Sequence, residues 1–242
     1  DWGIAQEFFG RLLDKLTGRE ALHFVRPTGV AERDGVLYVA DPGAQALFVF
    51  DARQNRALQL RRIGDETLVS PVALALGPAG TLFLVDSWRK KVYTLDRNGE
   101  LRQLLAHSGL QRPAAVAYDA ASERVYVADS MAHQVLVYTL DGRLLQTLGS
   151  NGSADGEFNS PTHLAVARNG MLLVTDALNF RIQAFDRTGR FLWTIGRVGD
   201  GSGDFAAPKG VAADSEGQVV VVDALFDALQ ILRQDGTLLL GF

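Results

Sequence analysis

The chain has 242 residues, 47% of them hydrophobic and 21% charged, a globular composition with enough apolar mass for a substantial core. A formal net charge of −4 provides no global positive field to draw it to phosphate or anionic lipid. The absence of cysteine removes disulfide frameworks, thiolate catalysis and Cys-ligated zinc, and no apolar run approaches the ~18 residues of a membrane span.

Residues 1–23 come first and stand apart. Ile4, Phe8, Phe9, Leu12, Leu13 and Leu16 make one helical stripe, with Glu7, Arg11, Asp14 and Lys15 on the other side and Gly18 as a stop. The expectation is a short amphipathic helix packing on the domain that follows, with partner docking as the alternative. Its polar face mixes both signs, without the basic excess that suits anionic lipid. The first residues do not read as a signal peptide. Because the chain starts at Asp1 and stops at Phe242, a processed or incomplete chain is expected.

Residues 24–242 repeat. Pro27, Pro71, Pro113, Pro161 and Pro208 follow one another at 42 to 48 residues, and Asp41, Asp86, Asp129, Asp176 and Asp223 keep step at 43 to 47. The copies run about 24–64, 68–106, 110–149, 158–196 and 205–241. Each holds four strand-like pieces separated by turn signals, as in His163–Val166, Leu172–Thr175, Ile182–Phe185 and Phe191–Ile195. Four short antiparallel strands per unit of this length describe one blade of a β-propeller. The predicted fold is therefore all-β: four-stranded blades, five of them visible, behind a short N-terminal helix. Four residues after each proline stands Ala31, Ala75, Ala117, Ala165 or Ala212, small enough for inner strands that converge on an axis.

Pro27-Thr28-Gly29-Val30-Ala31, Leu37-Tyr38-Val39-Ala40-Asp41, Val125–Ser130 and Asn179–Asp186 resemble the NHL-repeat family over roughly residues 24 to 241. The resemblance implies six blades, with one absent from this chain; closure with five is the alternative. It also implies a bacterial, extracytoplasmic location and a protein partner, such as a membrane or electron-transfer complex containing a multihaem cytochrome.

Chemistry is sparse. One Asp per blade at a fixed position predicts a structural role for Asp41, Asp86, Asp129, Asp176 and Asp223, each accepting N–H groups of the following turn. Of the histidines His23, His107, His133 and His163, only His163 replaces a residue that is small in every other copy. It is the candidate for a channel-mouth hydrolase or lyase site. The zinc lyases among similar propellers carry histidine directly after the proline. Thr28, Val72, Ala114, Thr162 and Lys209 stand there in this chain, so a set of about three zinc ligands is missing. Glu32, Asp119 and Asp214 sit at strand ends, where turn chemistry accounts for them better than calcium. Gly201–Ala206 imitates a dinucleotide fingerprint without the strand-to-helix context. Asn151–Gly156 imitates the start of a calcium loop, but Thr162 replaces the bidentate Glu at position twelve. No cofactor, metal or catalytic residue is assigned.

The turns divide by chemistry. Those after the first and third strands, such as Arg168-Asn169-Gly170 and Arg187-Thr188-Gly189, are plain hydrophilic turns. Those after the second strands hold Trp88, Met131, Leu178, Phe180, Leu225 and Phe226, interleaved with Arg89, Lys90 and His133. The adjoining links add Arg112, His163 and Lys209. Aromatic and Met side chains rimmed by Arg predict a protein-recognition surface, with Trp88, Met131, Leu178 and Phe226 arrayed along the channel mouth. The leading expectation is thus a non-catalytic binding or scaffolding propeller. Beside it stand the His163 enzyme and an RNA-binding NHL propeller, the last disfavoured by negative charge.

Overall fold

A computed structural model describes residues 22–105 and 109–241. The expected N-terminal helix, from Ile4 to Leu16, lies outside them, as does His107. In chain order the first blade is β1 (Gly29–Arg33), β2 (Val36–Asp41), β3 (Ala46–Asp51) and β4 (Arg56–Leu60). A small hairpin follows, β5 (Arg62–Ile63) with β6 (Glu66–Thr67). The second blade is β7 (Pro71–Leu76), β8 (Leu82–Asp86), β9 (Lys91–Leu95) and β10 (Leu101–Leu104). The third is β11 (Pro113–Asp119), β12 (Arg124–Asp129), β13 (Gln134–Thr139) and β14 (Leu144–Leu148). The fourth is β15 (Pro161–Val166), β16 (Leu172–Asp176), β17 (Arg181–Phe185) and β18 (Phe191–Ile195), and the fifth β19 (Pro208–Ala213), β20 (Val219–Asp223), β21 (Ala228–Leu232) and β22 (Leu238–Gly241). Each blade is an antiparallel meander in which sequential strands pair. Proline can open the first strand in four blades because that strand is a sheet edge, where a missing N–H costs no ladder bond.

The second strands read as almost unbroken apolar runs because both of their faces are covered. The chain divides into two compact units, the first containing blade 1 and most of blade 2, the second blades 3 to 5. In the first unit Tyr38, Leu47 and Val49 of blade 1 pack against Leu82, Leu84 and Tyr93 of blade 2. The other face of blade 1 is covered from the N-terminal side. Leu22 and Phe24 lie on it, and the Phe24 ring meets Phe48 and Phe50 edge-on at 5.0 and 6.1 Å, within the favourable range for aromatic pairs. In the second unit Tyr126, Val135 and Val137 pack on Leu172, Val174 and Phe185. Leu173, Ile182 and Ala184 in turn pack on Val219, Val221 and Leu232. Side chains of this size stabilise the fold by about 1.5–3 kcal/mol each when fully buried.

Candidate functional site

The site is built on the hairpin turns after β2, β8, β12, β16 and β20. Each begins at the Asp that closes its strand, and that carboxylate is fully buried in all five blades. In blade 3, Asp129 Oδ2 accepts the N–H of Gln111 at 2.6 Å, and Oδ1 accepts those of Arg112 at 2.9 Å and Ala132 at 3.1 Å. Asp41 does the same with Val25, Arg26 and Ala44, Asp86 with Val69, Ser70 and Arg89, and Asp223 with Ala206, Ala207 and Leu225. The carboxylate therefore ties the turn to the incoming link 15 to 18 residues earlier, whereas the sequence reading names the turn alone. Burial would raise the Asp41 pKa, but the hydrogen bonds from Ala44, Val25 and Arg26 outweigh it and hold the carboxyl below its ordinary value.

Asp176 differs. Its Oδ1 accepts Asn159 N–H at 2.6 Å, while Oδ2 faces Asn179, Arg181 and Gln183. The Ser160 N–H, which matches Arg112 and Ala207 in the neighbouring blades, goes to His133 Nδ1 at 3.1 Å.

The last residue of each turn is left-handed: Gln45, Lys90, His133, Phe180 and Asp227 have φ between 48° and 57°. None is glycine, so each turn holds a conformation that L residues adopt at roughly 1–2 kcal/mol; the Asp clamp and the flanking ladder keep it there. The second turn position is thrust outward. It is Gly43, Trp88, Met131, Leu178 or Leu225, and the four large side chains are 75%, 62%, 57% and 67% exposed. Phe226, one residue further on, is 44% exposed. The residue of blade 5 that matches Trp88, Met131 and Leu178 is thus Leu225, with Phe226 beside it. At Gly43 a Cβ would stand 2.8 Å from the Val25 side chain, which covers that turn.

The other predicted site residues fall in different places. Lys90, Arg112 and Lys209 are exposed. The Arg89 Nε donates to Thr67 O at 2.6 Å, bracing the β6 link. His133 is held by Ser160 and Phe180 packs into the core between blades 4 and 5, so both side chains serve the interior. His163 is mostly buried, its Nδ1 lying 3.1 Å from Thr162 Oγ1. Burial, and then the nearby Lys209 charge, lower its pKa to about 4. At neutral pH such a ring is uncharged and weakly basic, a poor match for a general base working near pH 7. Glu32, Asp119 and Asp214 accept hydrogen bonds within their own turns, from Gly35, Ala121 and Glu216 respectively. Among the described residues no group of three or more His, Asp or Glu is arranged to hold a metal ion.

The two loops that imitate known motifs turn out to be copies of each other. Gly149, Gly156, Phe158 and Pro161 recur, at identical spacing, as Gly196, Gly203, Phe205 and Pro208. Each loop drives its Phe fully into the core between two blades. Gly149 and Gly196 have φ of +79° and +88°, and a Cβ on either would lie 2.3 Å from the Phe ring, so only glycine fits. The shared spacing of seven, two and three residues is the sequence signal of this kinship, one that comparison with known motifs passes over. At the opposite end of blade 4, Asn169, Met171, Asp186, Leu192, Trp193 and Gln234 line a shallow groove of about 450 Å³. Arg187, also on its wall, is held by Asp119 at 2.9 Å.

No family model matches the sequence. It is similar to NHL repeat-containing protein 2 of Bos taurus, 24% identical over 62% of this chain and 28% of that protein's length. The chain thus spans little more than a quarter of the curated relative it matches. Among solved structures, virginiamycin B lyase from Staphylococcus aureus superposes with a TM-score of 0.72 at 11% identity, covering 90% of this chain and 69% of that one. A chain of the nidogen/laminin complex gives 0.72 at 18% identity, covering 89% and 79%. Hydrazine synthase from Kuenenia stuttgartiensis gives 0.60 at 12%, covering 90% and 80%. At these identities the likeness is one of fold: five four-stranded antiparallel blades of a β-propeller.

Proposed function

We propose that this chain is a non-catalytic binding propeller that recognises a protein through the exposed apolar turns of blades 3 to 5. The observation that carries the reading is the exposure of Met131, Leu178, Leu225 and Phe226 at tips whose bases are clamped by buried carboxylates. Large apolar groups held rigidly in water lose little conformational entropy on binding, which is the advantage of a preorganised surface. Arg112 and Lys209 lie on links entering the same turns and contribute orientation and association rate. Trp88, in the first unit, is a further anchor of the same kind. The nidogen/laminin neighbour lends the fold a precedent in protein complexes. The test is quantitative binding to a candidate partner: Leu178→Glu and Phe226→Glu should each weaken it at least tenfold at unchanged melting temperature. Unaltered binding by both would reject the surface.

We further propose that the parent propeller has six blades. β16 is buried on both faces, whereas β20 buries Val219 and Val221 but leaves Val222 exposed, with Leu240 exposed on β22. A further apolar blade would cover that face. An extracytoplasmic location, beside a membrane or electron-transfer complex, is proposed from the family resemblance, and fractionation of cells carrying the full reading frame tests it.

A further inference from the structure

The paired loops of blades 4 and 5 differ at one decisive position. In blade 4, Arg181 is buried and every arm of its guanidinium is bonded: Nε to Asp176 Oδ2 at 2.8 Å, Nη1 to Ser153 O at 2.9 Å, Nη2 to Ala154 O and Glu157 O at 2.9 Å each. Blade 5 repeats the cradle closely. Gly203 N–H donates to Gln230 Oε1 at 3.0 Å as Gly156 N–H does to Gln183 Oε1 at 2.9 Å. Asp204 N–H donates to Gly201 O at 3.0 Å as Glu157 N–H does to Ala154 O at 3.0 Å, and Phe205 N–H to Arg197 O at 2.8 Å as Phe158 N–H does to Ser150 O at 2.8 Å. The Gln230 amide reaches Asp204 O at 2.8 Å as Gln183 reaches Glu157 O at 2.6 Å. The cross-strand register also agrees, since Asp223 pairs with Ala228 as Asp176 pairs with Arg181.

Blade 5 therefore keeps the carbonyls of Asp200, Gly201 and Asp204 and puts a methyl group where blade 4 has a guanidinium, while its Asp223 carboxylate, spent on the N–H groups of Ala206, Ala207 and Leu225, supplies negative charge beneath them. Asp200 and Gly201 are exposed and Ala228 and Asp204 half-buried, so the carbonyls face solvent, while Asp223 lies fully buried beneath them. The Asp204 carboxylate pairs with the largely exposed Arg197 at 2.8 Å, leaving its carbonyl to the cradle. Carbonyls that in blade 4 take both terminal nitrogens of Arg181 at once favour a guanidinium over a point-charge ammonium.

We propose that the blade 5 cradle binds the guanidinium of an arginine presented by a protein partner, beside the exposed Leu225 and Phe226 of the same blade. The arginine's source in a protein rests on the docking surface argued above; the cradle itself does not. The experiment titrates N-acetyl-arginine methylamide into the protein and follows its melting temperature, with the lysine analogue, KCl and CaCl2 as controls at matched ionic strength. The expected result is a saturable rise with the arginine compound alone, abolished in Ala228→Arg. That variant should itself melt about 2–4 °C higher by supplying the missing hydrogen bonds. No response to arginine, equal response to lysine, or stabilisation by a metal salt in place of arginine would each overturn the proposal. Whether Ala228→Arg folds or not, the titration of the unaltered protein decides. Arginine binding without any effect of Leu178→Glu on a partner would keep the cradle and reject the docking surface.

Discussion

The buried His163 couples stability to pH in a calculable way. Its pKa falls from an ordinary 6.5 to about 4 in the folded chain, chiefly through burial and secondly through Lys209. Between these values the unfolded chain binds a proton that the folded chain refuses, so stability must rise with pH across the window. The contribution is complete above pH 6.5 and is lost as pH falls toward 4. The difference between 6.5 and about 4, at about 1.4 kcal/mol per tenfold change in proton affinity, corresponds to about 3.5 kcal/mol. Asp41 and Asp119, whose pKa values are lowered from 3.8, contribute stability of the same proton sense but lose it only below about pH 4, so the two effects separate by pH. His163→Gln keeps a polar side chain and removes the titration. Urea unfolding at pH 7, 6, 5 and 4.5 should show the gap between wild type and variant shrinking by about 2–3 kcal/mol as the pH falls. A gap that stays constant would refute the reasoning, because it would mean that His163 titrates alike in both states.

Asp129→Ala strands the N–H groups of Gln111, Arg112 and Ala132, and should lower unfolding stability by about 1–3 kcal/mol, with faster amide exchange at those three residues. Unchanged exchange there would show that water replaces the carboxylate. Phe205→Ala removes a fully buried ring from the core between blades 4 and 5 and should cost about 3–5 kcal/mol in denaturant unfolding; a loss below about 1 kcal/mol would mean that the loop does not wedge the blades. Gly196→Ala, which meets the same ring, should destabilise in the same assay, and a neutral result would contradict the close approach.

The repeat was legible because two markers, proline and aspartate, fall on sheet positions that admit few alternatives. Pro161 opens an edge strand, and Asp176 ends the next one. The aspartate's second role was hidden by distance. Nothing local in the sequence says that Asp129 reaches Gln111, since the contact exists only once the link folds over the turn. The loops ending in Phe158 and Phe205 each resemble a calcium or nucleotide motif when taken singly, and their kinship is legible only in the spacing they share. Arg181 posed a different difficulty. A basic residue at a strand start reads as exposed, and only the carbonyls of Ser153, Ala154 and Glu157, gathered by the loop, make its burial favourable. Phe180 and His133 share turns with exposed neighbours yet face inward. Left-handed φ does not distinguish them, since the exposed Gln45, Lys90 and Asp227 share it; what does is a partner on the inner side, the Ser160 N–H for His133 and the core between blades 4 and 5 for Phe180, and neither is visible in composition.

The central claim is that the turns after β12, β16 and β20 meet a protein. Its most direct test is a photo-crosslinking residue placed at Leu178 or Leu225, and separately at Thr188, which sits at the other end of β17. The full-length protein carrying each would be irradiated in cells of its own source. The account requires one discrete protein adduct from Leu178 and Leu225, none from Thr188, and loss of the adduct when Phe226→Glu is added. Equal labelling from Thr188, or no adduct from the two turn positions, would contradict it.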